Sequence, residues 1–190
     1  GPNDTLHVAS VTKSVLSALV GIAVDQGYII SIENSVLDFF PEYPLDPSDS
    51  KKQEIRIKHL LTMTAPYSYK TEPFQELCLS PDWPMFALDL LDGAGRIGDF
   101  KYSTAGAHLL STIITRSTGK CARKFANEYL FGPIGALILP NYDMTASGFM
   151  DFFQGKHVTG WVTDPTGNST GGWGLTLTPR DMARILSLFE

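Results

Sequence analysis

An apolar run from Val15 to Val24 constrains the fold of this 190-residue chain more than any other feature of its sequence. Its residues would cover nearly every side of a helix, and a helix that is apolar on most sides is buried in a protein core. The run is too short to span a bilayer. Because Gly27 is a natural helix stop, we predict a buried helix from Ser10 to Gln26.

Ser10 and Lys13 stand just ahead of this run. Residues three apart lie on one face of a helix, so the hydroxyl and the ammonium point into the same space. A serine is a weak nucleophile until a base takes its proton, and a lysine acts as that base where burial or nearby cations lower its pKa. The alternative is structural, with Ser10 as a helix cap and Lys13 as a solvated residue of the first turn.

Spacing alone does not decide between these interpretations. The chain contains three S-x-x-K patterns, where about one is expected by chance from ordinary residue frequencies. Ser48 and Lys51 lie in a polar loop that prolines interrupt. Ser117 and Lys120 lie at a predicted helix end, where a lysine suits the negative end of the dipole. Only Ser10 opens a helix that is predicted to be buried.

The rest of the chain is predicted to be mainly helical. Further helices are expected from Ser80 to about Leu91, from Ser103 or Thr104 to about Ser117, over 122–130 and from Thr178 onward. Residues 65–80 and 140–173 are predicted to be irregular, the second stretch with two short strands. No linker divides the chain, so we expect one domain.

Charge and composition exclude several kinds of partner. The net charge is −5 and the basic residues are scattered, which argues against nucleic acid and anionic membrane surfaces. The two cysteines are far apart, and the four histidines form no H-x-x-x-H or H-E-x-x-H pair. We therefore predict no metal site.

The segment D-T-L-H-V-A-S-V-T-K-S, residues 4–14, resembles the nucleophile segment of the class C β-lactamase-like serine hydrolases. That family includes β-lactamases, D-alanyl-D-alanine carboxypeptidases and esterases. Further segments match the family in the same order, at residues 57–64, 100–110, 131–135 and 171–184. The resemblance covers nearly the whole chain.

The resemblance implies a role for each matched residue. Ser10 would be the acylated nucleophile, Lys13 its activator and Tyr102 a general acid and base; which of the last two takes the serine proton stays open. Thr104 and Trp173 are expected to contact the substrate, with core packing as the alternative for Trp173 and for the nearby Trp161. Such acyl transfer needs no metal or organic cofactor.

Two departures from the family pattern stand out. The second motif is commonly Tyr-x-Asn, and here it is Tyr102-Ser103-Thr104. Thr104 keeps a hydroxyl but lacks the amide that would orient a substrate carbonyl, which favours an esterase or peptidase over a β-lactamase. The third motif, Lys-Thr-Gly or His-x-Gly, is absent from the sequence, and His157-Val158-Thr159-Gly160 comes near it in the wrong context.

The resemblance implies a helical lobe plus the nucleophile helix of the β-lactamase/transpeptidase-like α+β fold, with most of the sheet missing. Residues 1–190 would then be a single incomplete domain, the central part of the family's domain. Without the sheet, we expect an exposed apolar face that favours self-association. The residues of this predicted face are Leu16, Leu19, Val20 and Ala23.

We consider two functions. The first is a serine hydrolase that acts on an ester, amide or β-lactam through an acyl-enzyme on Ser10, with these 190 residues alone poorly active. The second is a non-catalytic binding module of the penicillin-binding-protein type, which holds peptides or a protein partner. Covalent labelling of Ser10 distinguishes them.

Overall fold

The computed structural model describes residues 1–91, 95–143, 152 and 158–189. A series of helices follows the first short strand, three more short strands come late in the chain, and two of the helices are 15 residues long. The elements are β1 (Leu6–His7), α1 (Val11–Asp25), a 3-10 turn (Val36–Phe39), α2 (Ser50–Gln53), α3 (Ile57–Leu61), α4 (Phe74–Leu79), α5 (Trp83–Asp89), α6 (Thr104–Thr118), α7 (Ala122–Ala126) with a π turn (Asn127–Phe131), β2 (Asn141–Tyr142), β3 (Trp161–Val162), β4 (Thr176–Leu177) and α8 (Pro179–Leu186).

Helix α6 lies at the centre of the fold. Every residue over 104–114 is buried, because α1, α3, α5 and α7 all pack against this helix. Its N-terminus is capped by Ser103, whose hydroxyl accepts a hydrogen bond from the backbone N–H of Gly106 at 2.9 Å. Its C-terminus stops at Gly119, where φ is +71°, a conformation that favours glycine. The helix is therefore a rigid base for the residues just before it.

The β structure of the described part is limited to two sheets of two strands each. β1 pairs antiparallel with β4, with Leu6 opposite Leu177 and His7 opposite Thr176. β2 pairs parallel with β3. This architecture confirms the prediction of a mainly α fold with little sheet.

Helix α1 confirms the predicted position but not the predicted exposure. It spans Val11–Asp25, and the chain leaves it at Gly27, where φ is +76°. Its solvent side carries Ser14, Ser17 and Gly21. The four residues expected on an exposed face, Leu16, Leu19, Val20 and Ala23, are each 0% exposed. The prediction that they form an exposed apolar face is wrong, because α6 and α7 of this same chain pack against α1.

Two further boundaries differ from the sequence-based expectations. Residues 65–80 contain α4, which was not predicted, and α5 begins after Asp82 rather than after Ser80. The Asp82 carboxylate accepts the backbone N–H of Met85 at 3.0 Å, while the Ser80 hydroxyl donates to the Asp82 carbonyl at 3.0 Å. Ser80 and Asp82 are both favourable N-cap residues, and Asp82 is the one that caps α5.

Candidate active site

Ser10 occupies the N-cap position of α1 but does not cap the helix. The chain enters it through Ala9, whose φ of 45° is a left-handed conformation that residues with a side chain rarely adopt. Just before, the backbone N–H of Val8 donates to the carbonyl of Leu175 at 3.0 Å, which ties this segment to the β4 side. Among the described residues, no backbone N–H of α1 donates to the Ser10 hydroxyl.

The Ser10 hydroxyl instead contacts the two predicted partners. Tyr102 donates its phenol proton to Ser10 Oγ at 2.7 Å, and Lys13 Nζ donates to the same oxygen at 3.2 Å. Lys13 Nζ also lies 4.7 Å from the centre of the Tyr102 ring. The structure therefore brings together three side chains that the sequence separates by up to 92 positions.

The electrostatics of the site act mainly on the tyrosine. Partial burial by itself would raise the pKa of Tyr102, but hydrogen bonding with Lys13 and Ser10 and the charge of Lys13 outweigh that effect and hold this pKa below 10. The carboxylate of Glu72 acts in the opposite direction and raises it. A phenol with a lowered pKa can exchange a proton with a serine hydroxyl at a milder pH.

The site is more open than the sequence predicted. Ser10 is exposed, Tyr102 is 46% exposed and Lys13 is half-buried. The apolar residues that bury α1 begin at Val15, two positions after Lys13. In the first turn Thr12 is 0% exposed, and the face that carries Ser10 and Lys13 lies outside the core.

A pair of glycines supplies a fourth polar group that the sequence analysis missed. The carbonyl of Gly172 accepts the second hydrogen bond of Lys13 Nζ, at 2.6 Å. A Cβ atom on Gly172 would lie 2.3 Å from the side-chain methyl of Thr104, and one on Gly171 would lie 2.1 Å from the carbonyl oxygen of Ala107. Only glycines permit this close approach to α6. The Gly-Gly dipeptide is therefore the sequence feature that could have indicated this contact.

Thr104 and Trp173 flank this glycine pair in different ways. Thr104 is the first residue of α6 and is only 9% exposed, with its methyl group against Gly172. Trp173 is 6% exposed and is one wall of a cavity of about 320 Å³, opposite side chains that include Trp83 and Cys78. The other candidate, Trp161, is fully buried and donates its indole N–H to the carbonyl of Thr170 at 2.8 Å, so it belongs to the core.

His7 is another residue near the site that the sequence did not single out. Its Nε2 accepts the backbone N–H of Gly174 at 3.1 Å, and its ring makes an edge contact with Trp173, with centroids 6.4 Å apart. Burial lowers the pKa of His7, which favours the neutral ring that this hydrogen bond needs. His7 thereby helps to hold the segment that presents the Gly172 carbonyl.

A second serine has a motif typical of a nucleophile but not the surroundings. Ser169 is the centre of a G-x-S-x-G pattern over 167–171, which in other hydrolases forms an exposed turn between a strand and a helix. Here Ser169 is 1% exposed, and its hydroxyl accepts the backbone N–H of Arg123 at 3.0 Å. It bridges to Thr163 in an antiparallel pair. Ser169 is a packing residue.

Within the described ranges, no three histidine, cysteine or acidic side chains come close enough to hold a metal ion. The same part of the chain has no helix that is both long enough and apolar enough to cross a bilayer. His157, the first residue of the near match to the third motif, lies outside the described residues.

Comparison with known families identifies the family of the chain. Residues 2–189 match the family model described as Beta-lactamase. The chain therefore belongs to the beta-lactamase family.

Solved structures show the same fold at low sequence identity. A beta-lactamase/D-alanine carboxypeptidase from Yersinia pestis, solved with citrate, superposes with a TM-score of 0.65 at 23% identity over 100% of this chain and 54% of its own. The octameric penicillin-binding protein homologue from Pyrococcus abyssi gives 0.68 at 19% identity, over 99% of this chain and 45% of its own. A class C beta-lactamase from Rhodobacter sphaeroides gives 0.60 at 18%, over 99% and 52%. The chain thus spans about half the length of these proteins.

Proposed function

We propose that this chain carries the nucleophile of a serine hydrolase that works by acyl transfer through Ser10. The observation that carries the proposal is the direction of one hydroxyl. Ser10 sits where a serine ordinarily caps a helix, yet its oxygen contacts Tyr102 and Lys13 instead. α1 therefore lacks a side-chain cap at Ser10, and the Ser10 oxygen is instead next to two groups that can remove its proton.

The proton path follows from the contacts. Tyr102 as the phenolate takes the proton of Ser10 over the 2.7 Å contact, and the freed oxygen forms a bond to the substrate carbonyl carbon. The Lys13 ammonium, held by the Gly172 carbonyl, stabilises the negative charge at both oxygens. The phenol then returns the proton to the leaving group as the bond to that group breaks, and a water molecule repeats the sequence to release the acid.

The proposed substrates are esters, amides or β-lactams with an apolar group beside the reacting carbonyl. The cavity that Trp173 lines supports this, because Trp83 and Val162 are also among its walls, beside the polar Thr163 and Asp164, and apolar wall residues favour apolar groups. Thr104 is proposed to contribute to substrate binding indirectly, because its methyl group packs against Gly172.

The test is covalent labelling of the full-length protein with a fluorophosphonate, followed by peptide mapping. We expect one adduct, on Ser10. Ser10→Ala should abolish it and Ser117→Ala, the matched control in another S-x-x-K pattern, should not. A full-length protein that stays unlabelled on Ser10 while it binds peptides would instead be a non-catalytic binding module of the penicillin-binding-protein type.

A further inference from the structure

The carboxylate of Glu72 lies directly at the start of α6. Its Oε1 accepts the backbone N–H of Ala105 at 2.7 Å and the hydroxyl of Ser103 at 3.1 Å, and its Oε2 accepts the backbone N–H of Thr104 at 2.9 Å. A carboxylate at a helix N-terminus is favoured by the free N–H groups and the positive end of the dipole. Glu72 comes from an irregular loop more than thirty positions earlier, so it joins two separate segments.

The residue on the other side of Tyr102 is tied to the same loop. Lys101 Nζ donates to the carbonyl of Tyr67 at 3.0 Å and also to the carbonyl of Tyr69. Charged groups on both sides of Tyr102 therefore fasten its backbone to the segment 67–72. Hydrogen bonds that involve a charged partner are roughly twice as strong as neutral ones.

The side chain of Tyr102 needs such support, because it is 46% exposed and little packing holds it. Its phenol oxygen must nevertheless stay 2.7 Å from Ser10 Oγ for the proton to pass. We propose that Glu72 is the positioning residue for Tyr102: its carboxylate fastens the first turn of α6 and so fixes the backbone from which the phenol reaches Ser10. This role rests on the proposed function.

The charge of Glu72 adds an effect that can be separated from its geometry. The groups that face the phenol are Ser10 and Lys13 from the start of α1 and Glu72 from the loop, and of these only Glu72 raises the pKa of Tyr102 electrostatically. Glu72→Gln removes the charge and replaces one acceptor oxygen by a donor. Glu72→Ala removes the contacts altogether.

The experiment compares these two variants of the full-length protein with Glu76→Gln, an exposed glutamate in the neighbouring helix α4. Hydrolysis of p-nitrophenyl acetate reports kcat and KM. We expect Glu72→Ala to lower kcat by about 10- to 100-fold with KM within about threefold, because a misplacement of a reacting group by roughly 1 Å has such an effect. Glu72→Gln should lie between wild type and Glu72→Ala, and Glu76→Gln should match wild type.

Two readouts do not depend on turnover. Hydrogen exchange at the amides of Thr104 and Ala105 should become faster in Glu72→Ala, and an NMR titration of the Tyr102 ring should give a lower pKa in Glu72→Gln than in wild type. Unchanged exchange, an unchanged Tyr102 titration or an unchanged kcat would overturn the role of Glu72. If the wild type hydrolyses nothing, the proposed function fails, and the exchange and titration results still decide whether Glu72 positions Tyr102.

Discussion

The chain contains the same S-x-x-K spacing at the ends of its two longest helices, and the two pairs have different surroundings. Ser10 and Lys13 open α1, whereas Ser117 lies in the last turn of α6 and Lys120 comes just after the end of that helix. The N-terminal end of a helix favours negative charge and the C-terminal end disfavours it. An ionised serine oxygen is therefore better placed at the first pair than at the second.

The hydroxyls of the two pairs are used differently. Ser117 donates to the carbonyl of Ile114 at 3.3 Å, an ordinary contact of a serine within a helix. Ser10 accepts from both Tyr102 and Lys13. The Ser117 hydroxyl is hydrogen-bonded within its own helix, whereas the Ser10 hydroxyl is hydrogen-bonded to side chains from two segments of the chain.

Each lysine also lies near a tyrosine ring, but of these two tyrosines Tyr102 alone has a lowered pKa. Lys120 pairs with Glu128 and lies 5.4 Å from the centre of the Tyr129 ring. A hydrogen bond with Tyr28 raises the pKa of Tyr129 to about 12, whereas the pKa of Tyr102 is lowered. The S-x-x-K spacing therefore brings a serine and a lysine together in both pairs. The neighbouring tyrosine and the charges around it differ, and with them the direction in which the pKa of that tyrosine is shifted.

The largest effect should come from the lysines. Lys13→Ala removes the cation beside Ser10 Oγ and the main support for the Tyr102 phenolate, so we expect Ser10 labelling to slow by about 10³-fold. Lys120→Ala should leave the rate unchanged. Stopped-flow or gel-based measurement of fluorophosphonate labelling compares them, and equal rates for the two variants would remove the distinction between the pairs.

The tyrosines should show the next largest effect. Tyr102→Phe removes the phenol that lies 2.7 Å from Ser10 Oγ, and labelling should slow by about 10²-fold, the low end for loss of a general acid or base. Tyr129→Phe loses the contact of its hydroxyl with Tyr28. Tyr129 is remote from Ser10 in the sequence and makes no hydrogen bond with it among the described residues, so this variant should label like wild type. A Tyr102→Phe protein that labels at the wild-type rate would assign the serine proton to Lys13.

The pH dependence of labelling sharpens the comparison further. Because the pKa of Tyr102 is held below its usual value of 10, the rate should rise with pH as the phenolate forms, with the midpoint of the rise below pH 10. Removal of the Lys13 charge raises the pKa of Tyr102, so the profile of Lys13→Ala should move to higher pH. A profile that stays in place in that variant would indicate a different titrating group.

The smallest effect concerns stability and compares the caps of the two helices. Ser103 caps α6 through the N–H of Gly106, so Ser103→Ala should lower the free energy of unfolding by about 1 kcal/mol. Ser10 makes no cap contact with the described residues of α1, and Ser10→Ala should change the free energy of unfolding by less than about 0.5 kcal/mol. Urea denaturation measures both, and an equal loss in the two variants would mean that Ser10 acts as a cap after all.

Much of the local structure was predictable from the sequence. The helix that begins after Ser10, its stop at Gly27 and the cap of α6 at Ser103 all follow from side-chain patterns within a few residues. Local rules were less successful where two signals compete, as at Ser80 and Asp82. They also missed α4, which is only six residues long. The error about Leu16 and its apolar neighbours arose because a helix pattern shows that a face must be covered but not which part of the chain covers it.

The sequence alone determined that Ser10 and Lys13 share one face, because three positions along a helix make nearly one turn whatever the surroundings. Only the tertiary structure placed Tyr102 92 positions away and the Gly172 carbonyl 159 positions away against them, and put Glu72 at the end of α6. These groups, far apart in the sequence, come together in space because α1, α6 and the glycine pair pack against one another. That packing depends on apolar burial over the whole chain, and a local signal such as the Gly-Gly dipeptide does not show which helix it approaches.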